Sequence, residues 1–551
     1  MAKTGAQLLV ECLLAQEVEI GFGVPGESYL AVLDALHDVP EKFKFVGCRN
    51  EGGGSFMAEA YGKLTGKPGV LFVTRGPGAT NASIGIHTAM QDSSPMVVFV
   101  GQIETSMRGR EAFQEVDYKA YFGSMAKWVV EIDSADRVPE LVNRAFAVAQ
   151  SGRPGPVVVA LPEDMLVQET NALPRGKAVA IRPTASEGAI VELMERLAKA
   201  ERPVVVSGGG GWSRDGEAAL LKFAEANELP VIVSFRNQDV IDNASPSYIG
   251  DAGFGLAPEI RSFLDESDLL IAFNVRFGET LTDGYKLFDP ATFDKQLVHI
   301  HAGEAELGKI FNPDLAILAD PNQAAGMLAA ASPVSTQKWS ERTKSARKAW
   351  VDGLQVPAQP GNVDMGEIME YLRDVLPDDV IITNGAGNFS IWCNRFLSHG
   401  NGKRLLGPQA GAMGAGVPAA VMAKIVDPDR FVLCFSGDGD FQMNCQELGT
   451  ALQQGAAPVI LILNNGTYGT IRMHQEREYP GRVSGTEIVN PDFSTLAKAY
   501  GMHGVLVTKT ADFKPAFERA CASPTGAVLE LTIDPEGIAP RTTISALRNA
   551  V

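Results

Sequence analysis

Residues 431–440 read Phe-Val-Leu-Cys-Phe-Ser-Gly-Asp-Gly-Asp, and residues 459–465 read Val-Ile-Leu-Ile-Leu-Asn-Asn. Each begins with an apolar run of the kind that forms a strand buried on both faces of a parallel sheet. The first run ends in Gly-Asp-Gly and the second in an asparagine pair, with 24 residues between the two motifs. Glycines let backbone N–H groups approach a phosphate, and carboxylate and amide oxygens are preferred ligands of Mg²⁺. The pattern predicts a magnesium-bound diphosphate, whereas a Gly-Asp-Gly run alone would be typical of a turn.

Short apolar runs alternate with longer helical stretches over most of the chain. The strand candidates are residues 43–46, 69–74, 96–100, 157–161, 203–207, 269–273, 431–435 and 459–463. Each run ends near Gly, Pro, Asn or Asp. The alternation predicts an α/β fold with mostly parallel central sheets flanked by helices. Ligands in such sheets gather beyond the carboxyl ends of the strands.

Two segments have the character of linkers between domains. Residues 162–183 show little periodicity, and residues 356–361 read Val-Pro-Ala-Gln-Pro-Gly. The chain is also too long for a single hydrophobic core. We therefore predict three domains, at residues 1–170, 185–345 and 360–551, each with its own central sheet.

Composition excludes several classes of partner. The net charge is -18 without a basic cluster, so a nucleic-acid partner is not expected. The six cysteines form no Cys-x-x-Cys pair, which fits reduced thiols better than disulfides or a metal site. Glu11, Glu17 and Glu19 interrupt any N-terminal signal core, and no apolar run reaches the length of about 18 residues that spans a bilayer. We expect a cytoplasmic protein with no membrane partner.

The Gly-Asp-Gly and Asn-Asn spacing resembles the cofactor motif of the thiamine-diphosphate-dependent enzymes. The resemblance implies that the Asp438 and Asn465 side chains and the Thr467 carbonyl bind Mg²⁺. It also implies a pyrimidine-binding domain, a Rossmann-like middle domain and a diphosphate-binding domain, in that order. The residues it assigns to thiamine diphosphate are Pro25, Glu51, Gly76, Asn81, Gly387, Asn388, Gly411, Met413, Gly437, Asp438, Gly439, Asp440, Asn465, Tyr468, Gly469 and Ile471.

Glu51 is the candidate activator of the cofactor. Residues 48–54 read Cys-Arg-Asn-Glu-Gly-Gly-Gly and resemble the family's Arg-His-Glu segment, with Asn50 in place of the usual His. In the family this glutamate contacts the pyrimidine ring, and an apolar pocket would raise its proton affinity. An isolated Glu in a helix's first turn would instead stabilise the helix dipole. Met413 matches the apolar residue that bends the cofactor, although an isolated Met would be a core filler.

The family resemblance also predicts the assembly. Glu51 lies in the first predicted domain and Asp438 in the third, and one site needs both. In this superfamily the two residues come from different subunits. We therefore expect a homodimer at minimum, and a homotetramer as the commoner form.

The first domain resembles the acetohydroxyacid synthase branch over its whole length. The matching motifs are Gly-Phe-Gly-Val-Pro-Gly at 21–26, Arg-Gly-Pro-Gly-Ala-Thr-Asn at 75–81, Gly-Gln at 101–102, Glu-Ala-Phe-Gln-Glu at 111–115 and Ser-Gly-Arg-Pro-Gly-Pro at 151–156. The resemblance implies that Phe113 and Gln114 border the reactive carbon, with Gln114 able to bond a substrate oxygen. Glu51 argues against glyoxylate carboligases, which lack it. None of the seven histidines is adjacent to another, which disfavours the pyruvate decarboxylase type.

The chain departs from the synthase pattern at residues 276–280 and at His474, and these departures limit the resemblance. Residues 276–280 read Arg-Phe-Gly-Glu-Thr in place of Arg-Phe-Asp-Asp-Arg, which argues against bound FAD without deciding it. Residues 208–211 are four glycines, which fit a turn better than a dinucleotide loop. His474 stands where the synthases carry a substrate-selecting Trp, so it is either an acid–base group or an exposed helix residue.

We therefore predict an acetolactate-synthase-like enzyme that decarboxylates a pyruvate-like 2-oxo acid and joins the fragment to a second 2-oxo acid or an aldehyde. A non-oxidative decarboxylase or a 2-hydroxyacyl lyase is the alternative within catalysis. A catalytically silent, cofactor-binding regulatory protein is the alternative outside it.

Overall fold

The computed structural model describes residues 2–549. The strands in that range are β1 (Lys3–Thr4), β2 (Ile20–Gly23), β3 (Lys44–Gly47), β4 (Gly69–Val73), β5 (Met96–Gln102), β6 (Trp128–Glu131), β7 (Pro156–Pro162), β8 (Glu169–Thr170), β9 (Pro203–Ser207), β10 (Val231–Ser234), β11 (Tyr248–Ala252), β12 (Leu269–Phe273), β13 (Gln296–His301), β14 (Leu315–Leu318), β15 (Ile381–Asn384), β16 (Arg404–Leu406), β17 (Val432–Gly437), β18 (Val459–Asn464), β19 (His503–Val507) and β20 (Ala527–Thr532).

The α-helices in the same range are α1 (Gly5–Ala15), α2 (Leu30–His37), α3 (Glu51–Thr65), α4 (Pro77–Asp92), α5 (Tyr118–Phe122), α6 (Val138–Gln150), α7 (Glu163–Val167), α8 (Glu187–Lys199), α9 (Arg214–Ala226), α10 (Pro258–Asp265), α11 (Pro321–Ala330), α12 (Ser340–Asp352), α13 (Met365–Val375), α14 (Ser390–Phe396), α15 (Gly416–Val426), α16 (Asp438–Phe441), α17 (Leu448–Gln454), α18 (Gly469–Glu478), α19 (Phe493–Ala499), α20 (Thr510–Cys521) and α21 (Ile544–Asn549). Together with the strands they confirm the predicted α/β class.

Three six-stranded sheets organise the described chain. Their strand orders are β3-β2-β4-β5-β7-β6, β11-β10-β9-β12-β13-β14 and β16-β15-β17-β18-β20-β19. Every strand pair of the first two sheets is parallel, as are the pairs from β17 through β18 and β20 to β19. Crossovers between parallel strands place helices over the sheet faces. All eight predicted strands coincide with observed ones to within a few residues.

Both faces of the middle sheet are buried. Along β9, Val205 packs into one apolar cluster while Val204 and Val206 pack into another, because successive side chains point to opposite faces. The four glycines that follow β9 lie in a loop outside the helices and strands, with left-handed backbone at Gly209 and Gly211 (φ 72° and 85°). The continuous apolar strands of the sequence therefore reflect burial on two sides.

The chain clusters into two compact units. One contains the residues up to Ile181 with Thr383–Phe389 and Leu406–Pro535, so it holds the first sheet and most of the third. The other contains Arg182–Ile382, Ser390–Leu405 and the residues from Glu536 onward. The boundaries of the three predicted domains stay predictions. Between residues 2 and 549, no helix has the length and apolar character needed to span a membrane.

A buried polar cluster joins α3 to the end of α4 in the first unit. The Glu59 carboxylate accepts a hydrogen bond from Ser94 Oγ at 2.7 Å. Lys63 Nζ lies 2.9 Å from the Asp92 carboxylate and 2.6 Å from the Gly407 carbonyl oxygen. Burial, with the neighbouring Asp92 charge, raises the pKa of Glu59 to about 7. Burial of the Glu59 carboxyl group between the helices therefore lowers the stability of the folded state when that group is ionised.

We expect Glu59→Gln to change how stability depends on pH. The unfolded carboxyl ionises near its ordinary pKa of 4.5, but the folded one stays protonated up to about 7. Since the folded state then binds more protons, Glu59 lowers stability as pH rises through that window. The variant should gain urea resistance over the wild type at pH 8 and lose that advantage near pH 4.5. An exposed-site control, Glu41→Gln, should show no such trend, and equal midpoint shifts at both pH values for Glu59→Gln would contradict the expectation.

Candidate active site

Glu51 is the first residue of α3, and its side chain faces α4. Asn50 caps the helix, because its backbone is extended and its side chain accepts the Gly52 N–H at 2.7 Å. Asn81 Nδ2 on α4 donates to Glu51 Oε2 at 3.0 Å, and Glu51 stays partly exposed. The asparagine that replaces the family's histidine is thus a helix cap. The structure brings together Glu51 and Asn81, two of the predicted cofactor residues.

Glycines at the start of α4 permit close approaches to its N-terminus. Gly76 has a left-handed backbone (φ 52°), and a Cβ added there would lie 2.9 Å from the Gln114 Cβ. A Cβ added to Gly78 would lie 3.1 Å from Glu51 Oε1. Pro25, exposed in the loop after β2, lies at the same carboxyl edge of the first sheet. The predicted residues of the first domain therefore gather at one sheet edge.

A tight loop presents Phe113 and Gln114 at that edge. Phe113 is 73% exposed, and Gln114 has a left-handed backbone with φ 65°. The Glu115 carboxylate closes the loop by accepting the Gly109 and Ala112 N–H groups at 2.8 and 3.0 Å. These backbone hydrogen bonds lower the pKa of Glu115. The loop therefore offers an exposed aromatic ring and an amide at the edge of the sheet.

Arg75 holds this loop, and sequence reasoning assigned it no role. Its side chain is buried, pairs with Glu163 at the start of α7, and donates from Nε to the Phe113 carbonyl oxygen at 3.2 Å. The guanidinium carbon lies 6.0 Å from the centre of the Phe113 ring. An arginine directly after a buried strand was the available signal, since a buried cation needs a partner.

We expect Arg75→Met to loosen the loop. A hydrogen bond that involves a charged group contributes about 1.5–3 kcal/mol, so its loss should raise the open population about tenfold or more. Tryptic cleavage after the exposed Arg108 and Arg110 should accelerate accordingly, as followed by mass spectrometry of the folded protein. The control is Arg137→Met, which removes an exposed ion pair. Unchanged cleavage in Arg75→Met would show that the loop does not depend on this guanidinium.

Asp438 follows β17, and its carboxylate is buried at the carboxyl edge of the third sheet. Its Oδ2 accepts the Gly466 N–H at 3.0 Å and Asn490 Nδ2 at 2.7 Å. Asn490 also donates to Asn464 Oδ1 at 2.9 Å. Burial raises the pKa of Asp438, against the opposing effect of these hydrogen bonds. Gly437 pairs with Leu463 in the parallel register, so the two motifs lie side by side as the sequence predicted.

The other two predicted metal ligands follow β18. Asn465 Oδ1 accepts the Thr467 N–H at 3.2 Å, and Thr467 Oγ1 donates to the Thr486 carbonyl oxygen at 2.7 Å. No group of three or more His, Cys, Asp or Glu side chains suited to a metal occurs in the described range 2–549. The predicted set differs from such a group, because it has one carboxylate, one amide and one backbone carbonyl. These oxygen donors suit a hard divalent ion.

Asp440 ties together the loops predicted to surround the cofactor. Its Oδ1 accepts the Ala386 N–H at 3.1 Å and the Gly414 N–H at 2.8 Å, while Oδ2 accepts Ser436 Oγ at 2.5 Å. Half-buried Met413 directly precedes Gly414, and Gly411 has a left-handed backbone (φ 65°). The carboxylate therefore fixes the relative positions of the segments after β15 and before α15.

Asn388 joins the segment after β15 to the start of α18. Its backbone N–H donates to Thr470 Oγ1 at 3.0 Å, and the Thr470 hydroxyl donates to Asn388 Oδ1 at 3.0 Å. Gly387 precedes it and is half-buried. Tyr468 packs on Gly439, since an added Cβ there would meet the Tyr468 ring at 2.6 Å. These contacts gather the predicted residues of the third domain around the Asp438 edge.

The outer part of α18 is exposed. Gly469 begins the helix, and Ile471 is 54% exposed. His474 is exposed, with Nδ1 2.6 Å from a guanidinium nitrogen of Arg477. Arg472 pairs with the buried Glu476 carboxylate at 2.8 Å. The structure therefore places His474 on an exposed helix surface next to the Arg477 guanidinium.

Three models of thiamine pyrophosphate enzymes match the chain in order. The N-terminal TPP binding domain matches residues 3–121, the central domain 190–328 and the C-terminal TPP binding domain 385–531. The matches follow the order of the three sheets and define a thiamine-pyrophosphate-dependent class of enzyme.

Similar proteins indicate which branch of this class the chain resembles. The acetolactate synthase large subunit of Parasynechococcus marenigrum is 33% identical over 96% of this chain and 87% of its own length. The acetolactate synthase isozyme 2 large subunit of Escherichia coli is 32% identical over 96% of this chain and 95% of its own length. The mitochondrial catalytic subunit of acetolactate synthase from Saccharomyces cerevisiae is 30% identical over 96% of this chain and 81% of its own length. The chain therefore belongs to the thiamine pyrophosphate enzymes, as a member of the acetolactate synthase large-subunit branch.

Proposed function

We propose that the chain uses thiamine diphosphate and Mg²⁺ to decarboxylate a pyruvate-like 2-oxo acid and to join the retained fragment to a second 2-oxo acid or an aldehyde. The observation that carries the proposal is the buried Asp438 carboxylate beside the asparagine pair at the ends of β17 and β18. The acetolactate synthase names of similar proteins support the substrate class.

The oxygen donors after β17 and β18 fit a metal-bound diphosphate. Asp438, the Asn465 side chain and the Thr467 carbonyl would hold Mg²⁺, and backbone N–H groups at Gly437 and Gly439 would approach the phosphate. Both long-range hydrogen bonds to Asp438 reach Oδ2. Bound thiamine diphosphate supplies a carbon nucleophile that adds to a carbonyl and accepts the electron pair left when CO₂ departs.

Glu51 would bind the pyrimidine ring and hold a proton at a ring nitrogen. Its carboxylate is partly exposed, and the Asn81 amide orients it. Met413 would pack against the cofactor, since it lies in the segment that Asp440 fixes. Phe113 and Gln114 would contact the substrate from the loop held by Arg75. His474 would contact the acceptor only if the acceptor binds at the exposed surface of α18.

The two groups of residues would meet in a homodimer. Glu51 bonds to residues at the edge of the first sheet, and Asp438 bonds to residues at the edge of the third. We propose that Glu51 of one subunit and Asp438 of the other complete each site, with a homotetramer as the larger assembly. This arrangement would make an isolated subunit inactive.

We further propose that the enzyme works without FAD. The sequence at 276–280 lacks the second arginine of the synthase motif. Phe277 is buried in an aromatic cluster, with its ring centre 4.9 Å from that of Phe311 and 5.2 Å from that of His299. A visible absorption spectrum of the purified protein tests this, because a stoichiometric flavin band would contradict it.

The function is tested with a panel of 2-oxo acids and aldehydes, scored for CO₂ release and for coupled products. The proposal expects CO₂ release to depend on added thiamine diphosphate and Mg²⁺ and to be matched by a 2-hydroxy ketone product. Release of free aldehyde as the main product would instead assign the chain to the simple decarboxylases or lyases. No cofactor-dependent turnover with any donor, despite saturable thiamine diphosphate binding, would point to a silent binding protein.

A further inference from the structure

A buried carboxylate from the Asp438 segment reaches the start of α3. Glu447 is fully buried and lies in the short turn Cys445–Glu447 that precedes α17. Its Oε1 accepts the backbone N–H groups of Arg49 and Asn50, both at 3.1 Å, and Oε2 accepts Thr450 Oγ1 at 2.6 Å. The two backbone donors immediately precede Glu51. The carboxylate therefore fixes the backbone that introduces Glu51.

The geometry suits an anion. Backbone N–H groups at a helix N-terminus have no partner within the helix, and the helix dipole favours negative charge there. Burial raises the pKa of Glu447, whereas hydrogen bonds from Thr450, Arg49 and Asn50 favour its ionised form. The Arg49 side chain adds a second connection by donating to the Gly449 carbonyl oxygen at 3.1 Å and to Gln453 Oε1 at 2.8 Å. The start of α3 is thus held at two points by the Glu447–Gln453 region.

This contact explains why a glycine stands at position 53, two residues after Glu51. A Cβ added to Gly53 would lie 2.4 Å from Glu447 Oε1 and 2.8 Å from its Cγ. A Cβ added to Gly47, at the end of β3, would meet nothing within 4 Å. Gly53 therefore leaves the space that the buried side chain needs. Of the three glycines that follow Glu51, it is Gly53 that fits the position of Glu447.

We propose that Glu447 is a positioning residue that sets the place of Glu51. The inference rests on the proposed function, in which Glu51 binds the pyrimidine ring. The segment that begins with Asp438 would then serve in two ways, by holding the metal at one end and by orienting the Glu51 backbone at the other. Loss of the Glu447 contact should impair turnover more than cofactor affinity, because Asp438 and Asn465 are untouched.

The first test is amide hydrogen exchange of the cofactor-free protein. In Glu447→Ala, exchange at Arg49 and Asn50 should accelerate about tenfold or more, because both amides lose a charged acceptor. Glu447→Gln keeps an acceptor oxygen, so its exchange should stay closer to that of the wild type. The control Gln446→Ala alters the neighbouring side chain, which bonds to Asn444 and not to α3. Unchanged exchange in Glu447→Ala would overturn the proposal.

The second test separates positioning from general loss of structure. Gly53→Ala should lower turnover about tenfold or more in the wild-type background, although alanine is the better helix former. In the Glu447→Ala background the same substitution should cost little, because the side chain that it meets is gone. Gly47→Ala is the control with open space. Equal losses from Gly53→Ala in both backgrounds would contradict the inference.

Glu51→Gln distinguishes failure of the inference from failure of the proposed function. If the wild type shows no cofactor-dependent turnover with the substrate panel, the proposed function fails. If Glu51→Gln retains wild-type turnover, the role assigned to Glu51 fails, and the inference fails with it. If Glu51→Gln is inactive while Glu447→Ala changes neither amide exchange nor turnover, only the inference fails. If circular dichroism shows that Glu447→Ala does not fold, the inference is tested by amide exchange in Glu447→Gln and by the turnover of Gly53→Ala.

Discussion

Glu51→Gln is expected to lower turnover by at least about a hundredfold, within the range that a positioned acid–base group contributes. The amide has the shape of the carboxylate and can still bond to Asn81, but it cannot hold and release a proton at the pyrimidine ring. Binding of thiamine diphosphate should be nearly unchanged, because the diphosphate and metal contacts lie at the Asp438 edge. The measurement is steady-state turnover with the best donor of the substrate panel, together with a cofactor titration.

The control for this prediction is Glu41→Gln, which removes an exposed carboxylate shortly before β3. It should retain wild-type turnover. Full activity in Glu51→Gln would contradict the role assigned to Glu51. A large loss of cofactor binding in the same variant would show that the carboxylate acts mainly in binding.

Asp438→Asn is expected to weaken binding of Mg²⁺ and thiamine diphosphate together. Truncating one partner of a buried charge pair costs about 2–5 kcal/mol, which corresponds to roughly a thirtyfold or larger rise in Kd. The amide keeps the shape of the side chain and can still accept the Gly466 N–H, so the fold should hold. Calorimetric titration with thiamine diphosphate at several Mg²⁺ concentrations measures the effect.

The matched control is Asp429→Asn, which neutralises an exposed carboxylate shortly before β17. It should leave both titrations unchanged. Saturating Mg²⁺ should partly restore cofactor affinity in Asp438→Asn if the residue acts through the metal. An affinity in Asp438→Asn that equals the wild type at every Mg²⁺ concentration would remove Asp438 from the metal site.

Local sequence was sufficient where a motif follows a strand directly. Asp438 and the asparagine pair could be placed together because neighbouring parallel strands end at the same edge of a sheet. The observed register of β17 and β18 agrees with this. Glu51 could be placed in the first turn of a helix, and the structure adds that Asn50 caps that helix. The fold class followed from the same alternation of apolar runs and helices.

Contacts between distant parts of the chain could not be predicted in this way. Glu447 is a buried acid in the short turn before α17, and its backbone partners Arg49 and Asn50 precede it by about four hundred residues. Asn490 gave no motif, although it joins Asp438 to Asn464. The spacing of residues cannot show which side chain turns inward. Arg75 was quoted only as part of a motif, because its hold on the Phe113 loop depends on a fold that the sequence does not display.

Subunit complementation between Glu51→Gln and Asp438→Asn tests the shared site most directly. In a two-fold dimer of the two variants, one site carries both substitutions and the other carries neither. A heterodimer isolated with two affinity tags should therefore regain about half of the wild-type activity per dimer, while each parent stays inactive at the same cofactor concentration. A verified heterodimer with no more activity than its parents would contradict a site built from Glu51 of one subunit and Asp438 of the other.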